Sequence, residues 1–200
     1  MLNSIFSGSN YLTVLELQDS AINKVPASIG NLFNLRYIGL RRTKVQKLPE
    51  CSEKLSNLQT LDIKQTKIVK LPRGIARIKK LRHLIADRYA DERQSDFRYF
   101  IGVEAPKGLS GSFPKLKTIV LNHMPDVNQL EIMDGALPVI EDMYIMSLTG
   151  LERIPQGIEN LHSLKKLRLV NLHKDFKAHW INEKMLLKMQ HVPDLHVHEA

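Results

Sequence analysis

Cysteine is nearly absent from this 200-residue sequence. Cys51 stands alone, so no internal disulfide framework can form, and the usage fits a reducing compartment. No apolar run approaches the roughly 20 residues that a membrane-spanning helix needs. The first residues, MLNSIFSGSNYL, have neither a basic start nor a sustained apolar stretch, and so read poorly as a secretory signal. A phosphate-cradling GxxxxGKS or GxxxxGKT loop is missing, which excludes that kind of nucleotide switch from this chain. These absences lead us to expect a soluble, cytoplasmic protein, with nuclear or peripheral membrane association also compatible. What remains is ordinary globular material, 43% hydrophobic and 25% charged, in a length that suits one domain.

Charge is present but uneven. The formal net charge is +8, yet residues 36–93 hold 16 Lys and Arg against 6 Asp and Glu. The remainder carries 13 against 15. Such a concentration fits an acidic partner, a membrane surface, nucleic acid or a plain solvated face.

The organising feature is a repeat. Leu12 opens LTVLELQDSAINKVP, Leu35 opens LRYIGLRRTKVQKLP and Leu58 opens LQTLDIKQTKIVKLP, each 23 residues after the last, with Leu81 next in step. The frame returns at Leu116, Ile140 and Leu164 with a spacing of 24. The shared pattern L-x-x-L-x-L-x-x-S/T-x-I/V-x-x-V/L-P is that of a leucine-rich repeat. In each L-x-L, alternate residues face one side, so Leu15, Leu17, Ile38, Leu40, Leu61, Ile63, Leu167 and Leu169 point inward. Ser20, Thr43 and Thr66 fall where the chain turns and can bond backbone groups. Pro26, Pro49, Pro72 and Pro155 can open a helical turn, after which Ile29, Ile75 and Ile158 fill the convex side.

The expected fold is therefore an α/β leucine-rich-repeat solenoid, a horseshoe with a parallel concave sheet, about seven repeats and an irregular, 3-10 or helical convex side. One domain covers 1–200. Residues 87–104 read as an insertion within a long repeat, because Leu81 to Leu116 is 35 residues. Residues 173–200 read as a C-terminal cap: WINEKMLLKMQH has helical spacing at Ile181, Met185, Leu186 and Met189, and VPDLHVH alternates like a last edge strand. Residues 1–11 are too short for a cap, which suggests a fragment or shortened form.

Several segments together, notably LEL.DS.I..VP.SIGNL.NLRYIGLR.T.V..LPE, SFPKLKTIVLNHMPDV, IPQGIENLHSLKKLRL and MQHVPDLHVHE, carry a resemblance. The chain resembles the leucine-rich-repeat region of plant, cereal-like, coiled-coil nucleotide-binding disease resistance proteins. That resemblance implies a non-catalytic recognition and regulatory module of innate immunity. It would sense a pathogen effector or a modified host protein and help hold a nucleotide-binding receptor inactive. The family usually has more repeats ahead of the segment that here begins at Ser112. A generic intracellular scaffold, or a truncated product with no stable partner, are the other readings.

Candidate contacts lie on the outward strand positions. Solenoids bind partners on broad concave surfaces, so Glu16, Tyr37, Arg41, Asp62, Lys64, His83, Asp87, Tyr144 and Arg168 are the expected protein-binding face. Tyr and Arg are the residue types enriched at binding hot spots. A basic docking band is expected from Arg42, Lys44, Lys47, Lys67, Lys70 and Arg73, with Arg41, Lys64 and Lys80 beside them. The partner would be a pathogen effector, a guarded host protein or the receptor's own nucleotide-binding module. No specific nucleic acid is expected, because no aromatics interleave with the charges to stack bases. His191, His196 and His198 lack Cys or carboxylate companions at ligand spacing, so no metal and no cofactor are expected. No catalytic residue set is found, and no enzyme is expected.

Overall fold

Each L-x-L motif supplies a short extended segment with one buried and one open side, and its neighbours one repeat away pair with it. The computed structural model describes residues 6, 11–68, 71–87, 113–125 and 127–198. Eight strands form one sheet in strict chain order: β1 (Val14–Glu16), β2 (Tyr37–Gly39), β3 (Thr60–Asp62), β4 (His83–Asp87), β5 (Thr118–Asn122), β6 (Asp142–Met146), β7 (Lys166–Val170) and β8 (Asp194–His198). Every pairing is parallel. A parallel neighbour requires a return crossover, and the 23- or 24-residue repeat provides it. The register follows the repeat step: Leu15, Ile38, Leu61, Leu84, Ile119, Met143, Leu167 and Leu195 stand side by side. All but Leu195, which is partly buried, lie in the core.

The turns that leave β1, β2, β3, β5, β6 and β7 are tighter than the Ser/Thr pattern indicated. Asp19, Arg42, Gln65, His123, Ser147 and Asn171 all adopt left-handed φ values between 50 and 60°. The expected hydroxyls follow one residue after the first three. Ser20 Oγ donates to the Leu17 carbonyl at 2.6 Å, and Thr66 Oγ1 to that of Ile63 at 2.9 Å. Thr43 Oγ1 departs from this, being buried with no hydrogen-bond partner among the described residues.

On the convex side, Pro26, Pro49 and Pro72 each sit just ahead of a 3-10 turn, at Ala27–Asn31, Glu50–Lys54 and Arg73–Arg77. Proline suits this place because its missing N–H is one the turn would leave unpaired anyway. In the later repeat the turn Ile158–Asn160 starts after Gly157, whose φ is +83°, not directly after Pro155. Ile29, Ile75 and Ile158 are fully buried beneath these turns, as their spacing predicts.

Residues 88–112 lie outside the described residues, and with them nearly all of the expected insertion; only its first residue, Asp87, is seen, closing β4. The chain resumes at Phe113, whose N–H donates to the Ala76 carbonyl at 2.7 Å and whose ring is buried.

At the C-terminal end two short helices, α1 (Phe176–Asn182) and α2 (Met185–Lys188), precede β8. Phe176, Trp180, Met185 and Met189 enter the core. The single helical stripe expected here is corrected: Ile181 and Leu186 are 60% and 62% exposed. Lys184, in the left-handed region at φ 55°, breaks the helix and resets its phase. The last segment is a strand as expected, paired in parallel with β7.

Candidate functional site

The outward side chains form three rows across the sheet, because the register aligns equivalent repeat positions. The first row runs Val14, Tyr37, Thr60, His83, Thr118, Asp142, Lys166 and Asp194. The second brings Glu16, Gly39, Asp62, Ile85, Val120, Tyr144, Arg168 and His196 together. Asp87 begins the strand-ending row with Asn122, Met146, Val170 and His198. Arg41 and Lys64 extend that row, since Leu40 N–H donates to the Asp62 carbonyl and Arg42 N–H to that of Lys64.

At the β1 end, Tyr37 Oη donates to Glu16 Oε2 at 2.9 Å, and Glu16 Oε1 accepts the Gln18 N–H at 3.0 Å. Sequence reasoning missed what makes this possible. A Cβ at Gly39 would stand 2.3 Å from Glu16 Oε1, so glycine leaves the space that the carboxylate fills. Partial burial, and then the Glu16 bond, push the Tyr37 hydroxyl up to about 12. The signal was available as a lone glycine inside a strand pattern, which marks a close approach.

Besides Glu16 and Tyr37, three more expected contact residues are already engaged within the chain. Asp62 faces outward but is only 9% exposed, and its Oδ1 accepts the Lys64 N–H at 3.0 Å. Asp87 Oδ1 lies 3.0 Å from His123 Nδ1. Arg168 makes a two-pronged pair with Asp194, at 2.6 and 3.0 Å, and this pair holds the Asp194 carboxyl below its usual range. Arg41, Lys64, His83 and Tyr144 are partly exposed, which leaves side-chain surface open on the concave side.

The basic band divides. Lys44 and Lys67 do lie one layer apart, for Lys44 N–H donates to the Ile22 carbonyl and Lys67 N–H to that of Val45. Lys44 and Lys47 are exposed. Arg42 is paired with Asp19, whose carboxyl falls to about 2 chiefly through that hydrogen bond. Lys67 and Arg73 also have partners of their own. Arg73 opens a convex turn and Lys80 sits on the returning edge, where its ammonium bonds Asn57 Oδ1 at 2.6 Å. Lys70 lies outside the described residues.

Among the described residues, no group of three or more His, Cys, Asp or Glu side chains is placed to hold a metal. Cys51 Sγ donates to the Ala27 carbonyl at 2.9 Å on the convex side. No helix among the described residues is long and apolar enough to cross a membrane.

An open parallel sheet built one repeat at a time, with 3-10 turns behind it, defines a leucine-rich-repeat solenoid. Residues 2–97 match the family "Leucine-rich repeat region". The chain is 43% identical over 60 residues to Disease resistance protein RPM1 of Arabidopsis thaliana, covering 30% of this chain and 6% of that protein. It is 28% identical over 85 residues to Disease resistance RPP8-like protein 3, also of Arabidopsis, covering 42% and 9%. With Probable disease resistance protein RF45 of the same plant the figures are 27% over 108 residues, 54% and 10%. The chain thus spans about a tenth or less of the length of these relatives. Among solved structures, a leucine-rich-repeat protein of Leptospira interrogans superposes with a TM-score of 0.53 at 20% identity, covering 97% of this chain and 50% of that one. That likeness speaks to the fold. The repeat region is homologous to those of plant disease resistance proteins, and both family and fold are typically non-catalytic.

Proposed function

We propose that the chain is a protein-recognition module of plant defence, contributing contacts and no chemistry. It binds a pathogen effector or a modified host protein through the concave sheet and, in a nucleotide-binding receptor, helps hold the inactive state. Differential binding to the inactive and active forms would then shift their balance. The observation that carries this reading is the similarity of the repeat region to plant disease resistance proteins. The concave side supports it with partly exposed Tyr144, Arg41 and Lys64 beside apolar Ile85, Val120 and Met146. Aromatic and Arg anchors near apolar surface are the usual sources of interface energy.

A second reading is docking of the receptor's own nucleotide-binding module on the strand-ending edge. It is favoured by the stacking of Arg41 beside Lys64 and of Lys44 beside Lys67. Pull-down of this chain against a separately expressed nucleotide-binding module tests it. Charge reversal at Arg41, Lys64 and Lys67 should abolish the association; retention would remove the edge from consideration. Tyr144→Ala with intact module binding but lost effector or host-protein binding would support the concave reading.

A further inference from the structure

Residues that lead into the strands form a second cationic surface, on the opposite side of the solenoid from Lys44 and Lys67. Arg36, Gln59, Arg82, Lys117, Glu141 and Lys165 align there, because Gln59 N–H donates to the Arg36 carbonyl, Arg82 N–H to that of Gln59 and Lys117 N–H to that of Arg82. Glu141 and Lys165 continue the same ladder through the Lys117 and Glu141 carbonyls. Two residues earlier on each turn, Asn57, Lys80, Lys115 and Val139 lie in the parallel row, with Lys79 next to Lys80.

Arg36, Lys79, Lys80, Arg82 and Lys115 are exposed, and among the described residues none of them is paired with a carboxylate. Among the described residues the acid of this ladder is Glu141, which Lys117 and Lys165 already hold at 2.6 and 3.1 Å. That ladder keeps a positive balance of its own. From β2 to β6 the surface extends over four strand spacings, roughly 19 Å. Two large apolar side chains stand on it: Phe33, 51% exposed, and Val139, 39% exposed. Phe33 belongs to the turn that brings Arg36 into place, and Val139 to the turn beside Lys115.

We propose that this lateral face docks on an anionic phospholipid surface. Its cations follow neighbouring strands along one side and do not converge on a point, which suits a layer of headgroups better than a single compact ligand. Unpaired Lys and Arg gain by approaching anionic headgroups, and exposed apolar side chains flanking them can enter the interface. Nucleic acid is disfavoured, since the face carries Phe33 but no series of aromatics on which successive bases could stack. An acidic protein is the competing occupant, and it would leave Phe33 and Val139 without a dedicated role.

Cosedimentation of the 200-residue chain with vesicles of phosphatidylcholine alone, and of phosphatidylcholine mixed with phosphatidylserine, tests the proposal. Binding should require phosphatidylserine and weaken with salt. Combined Lys79→Glu, Lys80→Glu and Lys115→Glu should lower the partition coefficient by about two orders of magnitude or more. The same charge change at Lys44, Lys47 and Lys64 should lower it far less. Lysine acetylation read by mass spectrometry supplies a check free of substitutions: vesicles should protect Lys79, Lys80 and Lys115 and leave Lys44 and Lys47 reactive. Equal binding to both vesicle types, equal loss in the two triple variants, or protection on the opposite edge would overturn the proposal. So would capture by polyglutamate without vesicle binding, which would assign the face to an acidic protein. These outcomes do not depend on the defence reading, which is read out with a protein partner.

Discussion

Tyr37 Oη and Glu16 Oε2 are joined by a 2.9 Å hydrogen bond that ties β2 to β1 over the hollow left by Gly39. The neutral phenol is the favoured form in this setting, so its folded value of about 12 exceeds the ordinary 10.0. The stabilisation is therefore whole below pH 10 and is lost as pH rises from there through about 12. Ultraviolet titration should show one late tyrosine, which Glu16→Gln moves back toward 10.0. An unchanged late titration in that variant would show that the bond does not contribute.

Gly39→Ala should separate local geometry from global stability. The atoms in the way are the far end of a flexible Glu side chain, so the carboxylate can swing aside and the stability cost should stay below about 1 kcal/mol. Tyr37 should nevertheless titrate earlier, because its partner has moved. Denaturant melts together with the ultraviolet titration check both halves.

Gly157→Ala should behave differently. Its φ of +83° is unfavourable for an L side chain, and its Cβ would stand 2.2 Å from the Ile132 carbonyl oxygen. Backbone cannot swing aside. We expect a loss of about 1–3 kcal/mol in urea unfolding. A loss below half of that range would mean the Glu131–Gln156 bridge yields more readily than its contacts indicate.

Asp19 and Arg42 form a pair between successive turns, both at left-handed positions. The Asp19 carboxyl is depressed from 3.8 to about 2. Its favourable contribution is thus present above pH 3.8 and disappears as pH falls toward 2. In Arg42→Met, NMR titration should find Asp19 moved up toward 3.8, with the Gln18 hydrogen bond still holding it somewhat below, and stability near neutral pH should change little, since both side chains are exposed.

Trp180 is 2% exposed and stacks with Phe176, ring centroids 6.2 Å apart, where the helices close over the sheet. Trp180→Ala should cost about 3–5 kcal/mol. Loss of tertiary signal confined to the C-terminal repeats would show that the end opens before the middle, as a repeat stack permits.

The repeat frame, its step of 23 or 24 and the inward-facing row were legible because they rest on neighbours within one short segment. Alternation along L-x-L fixes which side chains enter the core, whatever the rest of the chain does. The Glu16–Tyr37–Gly39 cluster was not legible, because it needs the strand register and the length of a Glu side chain together. Arg168 was read as open for the same reason: its partner Asp194 lies in a last strand that the repeat alignment did not reach. In the cap, apolar spacing suggested one helix, while Lys184 adopts a backbone conformation that its identity does not announce. Spacing alone joined Lys80 to the band, although the chain has by then passed behind the sheet and emerged on its other edge.

The left-handed residue that leaves six of the strands has a wider consequence. Asp, Arg, Gln, His, Ser and Asn occupy it in turn at nearly the same φ. Its backbone is constant while its chemistry varies, and none of the six is β-branched. Side chains at this place can be exchanged without redrawing the coil that carries them. The molecule therefore has a column of interchangeable letters along one edge, where new specificity can be written while the scaffold stays as it is.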